Sequence, residues 1–498
     1  MKNLTTYKIF LTCFLLLCSL NITSMANERL DLSEQMKDSI VYLSISTSGY
    51  HTREPWSQKN LSQNWASACA VGPYQVVTTA DKVADAAFIK VLRYGQNEFV
   101  NAELKVVDYQ ANLCLIELDK NQLKKPLTPL NFAQDYQKGA SVDSYWLTSA
   151  NRIVTKRGYL DHVGIEKVET SYGNHLRYII ADASQRTSSG ELYCAGSSPI
   201  GIACRSNMDD VSYLIPAETI IKFLKVVDDG NYEGFGSVGF AVTQLLDPAM
   251  RSYLKMPESL INGVYVADVY TLGTGSDVLE NGDVLLGIDD NEIDSYGLFV
   301  HPKYDQLELD YLITSKNAGQ TLKFVIWRDG EKKEITAEIK NFKESDMLIP
   351  YHEFDKQPEY IIVAGFVFQK LTRDYLLEFG NDLAGDAPSE LYYYYREFAF
   401  KPDEKRKDIV TLSFTLPNEF NVGYTSLGHM IVSTYNGMKI SSIEDIFAAQ
   451  KLNPDSPYDI IEFEMDNPTL VIARNQIQAA NSFITATYGV RKLANINN

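Results

Sequence analysis

Short stretches of strand-forming residues, each bounded by turn residues, recur along the segment from about Ile40 to Arg205. Many short strands at this spacing are typical of a β-sandwich or of a pair of β-barrels. The clearest of these stretches are Val76–Thr79, Phe88–Leu92, Leu113–Ile116 and Ile200–Ala203. A helix is predicted over Pro216–Val227, where an apolar stripe follows a Pro-Ala-Glu start, and this helix would close the domain.

Two later stretches resemble each other and predict two small β-rich modules, each with one or two helices. The chain has 498 residues, too many for one hydrophobic core, so three or four domains are expected. The first copy contains Val238–Val242, a helix over Leu245–Tyr253, Gly263–Val266 and Gly282–Ile288. The second copy contains Ala364–Phe368, a helix over Arg373–Leu377 and Met430–Gly437.

The N-terminal 26 residues have the pattern of a secretory signal. Lys2 and Lys8 are followed by the apolar run Ile9–Leu20 and by the small-residue site Ser24-Met25-Ala26. This pattern predicts cleavage near Asn27 and an exported protein, periplasmic or secreted. The alternative is an uncleaved anchor, although a twelve-residue run is short for a bilayer and no stable membrane anchor is expected.

The net charge argues against two classes of partner. Removing the signal takes away two lysines, so the charge of the mature chain becomes 44 − 64 = −20. Such a field repels phosphate backbones and anionic lipids, and nucleic-acid and membrane-surface binding are therefore disfavoured. No Cys/His spacing is typical of a zinc site, and neither a metal nor a cofactor is expected.

The mature chain has four cysteines, which permit two disulfides in three possible pairings. These cysteines are Cys69, Cys114, Cys194 and Cys204. Cys194 and Cys204 bracket a turn sequence, so a bridge across a hairpin is one expectation.

Several motifs of the C-terminal half resemble the Deg/HtrA family of exported serine proteases. They are Leu348-Ile349-Pro350, Tyr360–Phe368, Asp386-Ala387-Pro388 and Asn421–Tyr424. This combination is similar to the branch of the family with a divergent second PDZ module. The resemblance implies a mainly β fold with a trypsin-like double β-barrel over residues 27–228. A PDZ domain over 229–342, a linker over 343–358 and a divergent PDZ-like domain over 359–490 would follow.

The resemblance also identifies the positions of a catalytic triad, and two of the three residues are replaced. The run Val76–Ala80 matches the strand that ends at the catalytic histidine, but the next residue is Asp81. Asn112 stands at the position of the orienting aspartate. A carboxylate is a far weaker base for a serine hydroxyl than an imidazole, and an amide cannot stabilise an imidazolium. Asp81 and Asn112 are expected to be polar residues that fill a former cleft.

Ser189 keeps the position of the nucleophile, in a turn that departs from the family's Gly-Asn-Ser-Gly-Gly sequence. Thr187 replaces the glycine that turns the oxyanion-hole amides, and Glu191 adds bulk and charge nearby. Two alternatives stay open. Ser188 is the equivalent serine if the alignment shifts by one residue, and His162 or His175 could supply a substitute base.

A peptide groove is predicted at the first PDZ-type loop, where Val238, Gly239 and Phe240 would donate amides to a ligand carboxylate. The alternative is that the glycine is only a strand bulge. Thr274–Leu279 resembles the start of the helix that borders such a groove. The second loop, Val363–Phe366, is expected to be an oligomer contact first and a peptide site second, and Tyr392–Tyr395 to be packing or interface surface.

The leading interpretation is a non-catalytic Deg-type protein that binds unfolded or C-terminal peptide segments. It would act as a chaperone-like, adaptor or regulatory subunit, as a trimer or hexamer or beside an active paralogue. One alternative is an active serine endopeptidase of protein quality control with a rearranged site. Another is a purely structural interaction protein whose grooves are blocked.

Overall fold

The computed structural model describes residues 34, 36–134, 136–181, 189–206, 211–228, 230, 232–465 and 468–496. Two closed six-stranded barrels are followed by two β-rich modules with short helices, which confirms the mainly β fold and the double barrel. The signal sequence predicted for residues 1–26 lies outside the described residues. None of the helices in the described ranges is long and apolar enough to cross a membrane.

The first barrel closes in the order β1-β2-β3-β6-β5-β4. Alternation explains why its strands form: in β1 the side chains of Val41, Leu43 and Ile45 are buried, and those between them face outward. A short helix, α1 (Ala80–Val83), leaves the barrel after β3. The strands are β1 (Ile40–Thr47), β2 (Ser62–Gly72), β3 (Gln75–Thr78), β4 (Ala86–Arg93), β5 (Val100–Asp108) and β6 (Leu113–Leu118).

The second barrel closes in the order β10-β11-β12-β9-β8-β7. It is followed by α2 (Ala217–Asp228), so the predicted closing helix is confirmed; Ile220 and Phe223 of this helix are fully buried. The strands are β7 (Ser141–Leu147), β8 (Ile153–Lys167), β9 (Asn174–Ala181), β10 (Leu192–Ala195), β11 (Ser198–Ser206) and β12 (Ser212–Pro216).

The expected Cys194–Cys204 bridge is wrong, and the strand register gives the reason. Cys194 of β10 is paired with Pro199 of β11, while Ile202 already faces Leu192, the first residue of β10. Cys204 therefore lies beyond the end of the hairpin partner strand. Cys69, Cys114, Cys194 and Cys204 are all free.

The first PDZ-type module packs on the second barrel so closely that the two share one hydrophobic core, which runs from Tyr178 and Leu214 to Phe240 and Phe324. Its main sheet has the order β13-β14-β15-β19-β20. The elements are β13 (Phe240–Thr243), α3 (Pro248–Tyr253), β14 (Val264–Val269), β15 (Val284–Ile288), β16 (Asn291–Glu292), β17 (Leu298–His301), β18 (Asp305–Glu308), α4 (Tyr311–Thr314), β19 (Thr321–Arg328) and β20 (Glu331–Glu338).

The second PDZ-type module forms a larger sheet in the order β27-β26-β24-β23-β22-β21-β28. The helix predicted over Arg373–Leu377 is confirmed. The elements are β21 (Tyr360–Val363), β22 (Phe366–Lys370), α5 (Arg373–Leu377), α6 (Leu383–Asp386), α7 (Ser389–Phe398), β23 (Val410–Thr415), β24 (Met430–Tyr435), β25 (Met438–Lys439), α8 (Asp445–Ala449), β26 (Tyr458–Phe463), β27 (Leu470–Ala473), α9 (Arg474–Thr487) and β28 (Ala494–Asn495).

The segment between the two modules, predicted to be a linker over residues 343–358, is largely packed. It contains a 3₁₀ turn, Glu344–Asp346, and the buried side chains of Met347, Leu348 and Ile349, which join the helical core of the second module. The loop between β1 and β2 also touches that module, because the Gln369 side chain donates to the Thr52 carbonyl at 2.9 Å.

The junction between the two barrels requires a glycine at position 190. Gly190 has φ +82°, and a Cβ atom there would lie 1.9 Å from the Ser67 carbonyl oxygen of β2. The residue before it is also tied to β2, since the Ser67 amide donates to the Ser189 carbonyl at 3.0 Å.

Gly190→Ala is expected to lower the unfolding free energy by roughly 3–5 kcal/mol, because it combines backbone strain with a clash in a packed junction. Gly196→Ala is the matched control: this glycine has φ +56° with nothing within 4 Å of the added Cβ. It should cost only about 1–2 kcal/mol, the strain term alone. Urea unfolding of both variants measures the difference, and equal losses would contradict this account of the junction.

Candidate functional site

The structure brings together the two positions that would hold the base and the orienting acid. Asp81 is the second residue of α1, and Asn112 lies in the turn between β5 and β6 with a left-handed φ of 56°. The Asn112 Oδ1 atom accepts a hydrogen bond from the Asp81 backbone amide at 2.9 Å. The contact therefore uses the main chain of Asp81, and the carboxylate is left for other partners.

The Asp81 carboxylate is held by its neighbour and lies between the two barrels. Its Oδ2 atom is 3.0 Å from Lys82 Nζ, and its Oδ1 atom is buried without a hydrogen-bond partner in the described part of the chain. Burial raises the pKa of the Cys114 thiol in β6 and of the Cys204 thiol in β11, and the Asp81 charge adds to both shifts. The negative charge thus acts on both walls of the former cleft.

Ser189 lies on the opposite wall and is only 7% exposed. Its hydroxyl donates to the Cys204 carbonyl at 3.4 Å. A backbone carbonyl accepts this hydrogen bond but does not deprotonate the hydroxyl, so the contact does not activate the serine. Among the described residues no imidazole contacts this hydroxyl. The alternative serine, Ser188, and the glycine replacement Thr187 lie outside the described residues.

Glu191 lies two residues after the serine and is 2% exposed. Burial, with the Glu191 charge adding, raises the pKa of Tyr193 to about 12. A carboxylate buried here would repel the oxyanion of an acyl-transfer intermediate.

Neither candidate substitute base contacts the Ser189 hydroxyl. The His162 side chain is 54% exposed, and its Nδ1 atom lies 2.8 Å from Asp161. His175 is buried against the ring of Phe235, with centroids 5.7 Å apart. Burial, with the Arg177 charge adding, lowers the pKa of His175 to about 3, so this imidazole is neutral in its present position. The search of the described residues for groups of three or more His, Cys, Asp or Glu side chains that could hold a metal finds none.

A second candidate site is a cavity of about 300 Å³ along β13. β13 pairs with β14 and is the edge strand of its sheet, so its other edge can accept an added strand. The apolar lining comes from Val238, Phe240, Val242 and Leu309. Thr314 of α4 also lines the cavity, whereas Thr274–Leu279, expected to begin the groove helix, forms turns. That expectation is wrong. Thr274 is hydrogen-bonded to the backbone of Ser237 and Gly239, and the turns do not line the cavity.

Of the backbone amides predicted to bind a ligand carboxylate, that of Gly239 already has a partner within the described part of the chain and that of Val238 does not. The Gly239 amide donates to the Thr274 carbonyl at 3.0 Å, so its predicted role as a carboxylate donor is wrong. Gly239 is needed for another reason, because an added Cβ would lie 2.7 Å from the carbonyl oxygens of Leu272 and Thr274. The Val238 amide has no backbone partner within the described ranges. Since the Gly239 carbonyl faces β14, the backbone of Phe240 faces the open edge.

Two aromatic side chains from other domains stand over this groove. The Tyr172 hydroxyl, from the turn between β8 and β9, donates to Ser237 Oγ at 2.8 Å. Phe400 of the second module stacks on Tyr270 with centroids 4.8 Å apart and meets Tyr172 at 5.3 Å. Both side chains line the cavity.

The carboxyl group of Asp310, which lines the cavity, is hydrogen-bonded to a side chain of the second barrel. The Asn174 amide donates to Asp310 Oδ2 at 3.0 Å, and burial raises the pKa of Asp310. The groove is therefore enclosed by three domains, and a ligand must displace or share these contacts.

The loop Val363–Phe366 is a tight hairpin turn and not a second peptide site, which corrects that alternative. Ala364 and Gly365 have φ values of 50° and 92°, and β21 pairs with β22 directly before and after them. Strand β21 therefore fills the edge of β22 that a ligand would need. Of the tyrosines over 392–395, Tyr394 and Tyr395 pack against the helical core, while Tyr393 is 51% exposed.

Several residues that shape these sites were not predicted: Lys82, Gln110, Tyr172, Asn174 and Phe400. Lys82 pairs with its own neighbour, Asp81, whereas the roles of the other four depend on segments far away in the chain. No local pattern in the sequence marks them.

The chain is similar to known proteins over most of its length. The PDZ domain family matches residues 349–494. The chain is 28% identical over 449 residues to Protease Do-like 2, chloroplastic, of Arabidopsis thaliana, covering 88% of this chain and 71% of the relative. It is 23% identical over 399 residues to Protease Do-like 4, mitochondrial, of the same plant, covering 79% and 73%.

Among solved structures, the HtrA-type protease AlgW with decapeptide has a TM-score of 0.48 at 18% identity, covering 63% of this chain and 98% of that chain. The relatives match both the barrels and the modules, and the double barrel and the PDZ-type sheets are present in the structure. The chain therefore belongs to the Deg/HtrA family of trypsin-like proteases with PDZ domains.

Proposed function

We propose that this protein is a Deg/HtrA homologue that does not cleave peptide bonds and that binds peptide or unfolded-protein segments through its first PDZ module. The observation that carries the proposal is the hydrogen bond from the Asp81 amide to Asn112. It joins the two residues that the resemblance assigns to the positions of the base and its orienting acid, where neither can do the required chemistry.

The surroundings of Ser189 support the same proposal. A serine nucleophile needs a base within hydrogen-bond reach of its hydroxyl, and this hydroxyl instead donates to a backbone carbonyl. The Asp81 carboxylate, at the position that the resemblance assigns to the base, is paired with Lys82. Peptide binding is supported by the open edge of β13 and by the Val238 amide at the head of the groove.

Casein hydrolysis tests the catalytic part of the proposal. The purified protein should release peptides no faster than its Ser189→Ala variant, because loss of the orienting acid alone costs on the order of 10⁴ in rate and loss of the base costs more. Robust hydrolysis that Ser189→Ala abolishes would contradict the proposal and favour the alternative, an active endopeptidase with a rearranged site.

Peptide binding tests the second part, and the aromatic cover makes a directed prediction. Phe400→Ala should tighten binding of a fluorescent peptide with an apolar free C-terminus by about tenfold, because it raises the fraction of molecules with an open groove. The same peptide with an amidated C-terminus should bind more weakly to both proteins, since the loop amide would lose its carboxylate partner. Fluorescence anisotropy measures both affinities.

Tyr393→Ala is the control, since it removes an exposed tyrosine from the neighbouring helix α7. It should bind the peptide as the unmodified protein does. If a folded Phe400→Ala variant binds no peptide, the groove is permanently blocked and the protein is a structural interaction partner.

Export to the periplasm or beyond, and assembly into a trimer or hexamer, complete the proposal. Export is supported by the N-terminal sequence pattern and assembly by membership of the family. A chaperone-like, adaptor or regulatory role beside an active paralogue is the biological function that these properties would serve.

A further inference from the structure

Asp310 is the one charged side chain among the described residues that line the groove along β13. His175 also lines the groove, but its pKa of about 3 keeps the imidazole neutral. The remaining lining consists of apolar, aromatic, hydroxyl and amide side chains and of glycines. A peptide laid along β13 therefore meets a single negative charge in otherwise uncharged surroundings.

The Asp310 carboxylate has a neutral hydrogen-bond partner but no cation. Its Oδ2 atom accepts the hydrogen bond from the Asn174 amide at 3.0 Å, and no lysine, arginine or histidine of the described chain forms an ion pair with it. Burial raises the pKa of Asp310, and the Asn174 hydrogen bond offsets this rise only in part. The carboxylate has thus lost water without gaining a counter-charge, a state that a cation from outside would relieve.

The charges around Asp310 make this part of the groove more negative still. Glu308, two residues earlier, has its pKa raised by burial, with the charges of Asp310 and Glu166 adding. The Arg205 guanidinium is engaged with Glu166 at 2.9 Å. Neither Glu308 nor Asp310 has an ion-pair partner in the ranges that the structure describes. The local field therefore attracts a positively charged group.

This negative site is separate from the loop amide expected to bind a ligand carboxylate. The end of α4 is tied to the loop, because the Gly236 amide donates to the Lys316 carbonyl at 2.8 Å. Asp310 precedes α4 and lies about 6 Å, one helical turn, back along its axis. A peptide whose carboxylate meets the Val238 amide could therefore place a basic side chain from an earlier residue at Asp310.

We propose that Asp310 makes this groove select peptide segments that carry a lysine or arginine whose side chain points from the added strand towards α4. The inference rests on the proposed peptide binding and adds the chemistry of the preferred ligand. An ammonium or guanidinium group supplies the counter-charge that the Asp310 carboxylate lacks, whereas an acidic side chain at the same place is repelled. Successive side chains of a strand point to opposite faces, so a basic residue one position away in the peptide cannot reach Asp310.

A walk of one lysine along a peptide tests this selectivity. The full chain is titrated with fluorescent peptides that share an apolar residue and a free carboxylate at the C-terminus, with a lysine at each of the four preceding positions in turn and alanine elsewhere. Norleucine, which is neutral and of similar length, replaces the lysine in the matched peptides. At one position lysine should bind about tenfold more tightly than norleucine, as expected for a charge-assisted hydrogen bond, and at the adjacent positions it should bind equally well. Fluorescence anisotropy measures the affinities.

Two variants assign the preference to one carboxylate. Asp310→Asn keeps the size of the side chain and should reduce the tenfold preference to less than about twofold. Asp290→Asn removes an exposed aspartate from the β15–β16 turn of the same module and should leave the preference intact. All the lysine peptides carry the same net charge, so a general attraction to this acidic protein would tighten binding at every position.

The other outcomes separate this inference from the proposed function. If the peptides bind but lysine has no preferred position, or if the preference survives Asp310→Asn, peptide binding stands and the role of Asp310 is disproved. A serine that binds as tightly as lysine at the preferred position also disproves it, because the carboxylate would then need only a hydrogen-bond donor. If none of the peptides binds, the proposed peptide binding fails, and the selectivity fails with it.

Discussion

The turn at residues 108–112 holds the first barrel to both ends of the first PDZ module. Asp108 is buried and accepts hydrogen bonds from the Tyr232 hydroxyl and the Ala111 amide, while Gln110 bonds to Phe342 and Asn341 on the other side of the first PDZ module. The same turn ends in Asn112. One turn of the first barrel, with a left-handed backbone at Asn112, therefore holds the site residue and contacts the segments before and after the first PDZ module.

This constraint explains how a protease framework can persist around a site that we propose is inert. Asn112 still accepts a hydrogen bond from the helix that would carry the base, so it keeps a structural task after the charge is gone. Asp81 is paired with Lys82, and Ser189 is tied to the β11 backbone. Each of the three residues therefore has a polar partner that does not depend on catalysis, although Asp81 Oδ1 has none in the described part of the chain.

Sequence patterns predict the parts of this protein that depend on local periodicity. The barrel strands, the helix that ends the second barrel and the helix α5 follow from apolar spacing, and the resemblance brings Asp81 and Asn112 to one place. Strand register and long-range contacts do not follow from such patterns. The Gly239 amide is taken by Thr274, Cys204 lies past its partner strand, and Tyr172 and Phe400 meet over the groove from different domains. Their roles depend on segments that are far apart in the chain.

The most direct test of the central claim, that the Ser189 hydroxyl is not activated, is its reaction with a fluorophosphonate. The folded protein is incubated with the reagent and weighed by intact mass spectrometry, beside the Ser189→Ala variant and an active trypsin-like protease. Our account predicts no adduct on this protein under conditions that fully label the active enzyme, because no base removes the proton of the hydroxyl. An adduct that forms on the unmodified protein and disappears in Ser189→Ala would contradict it.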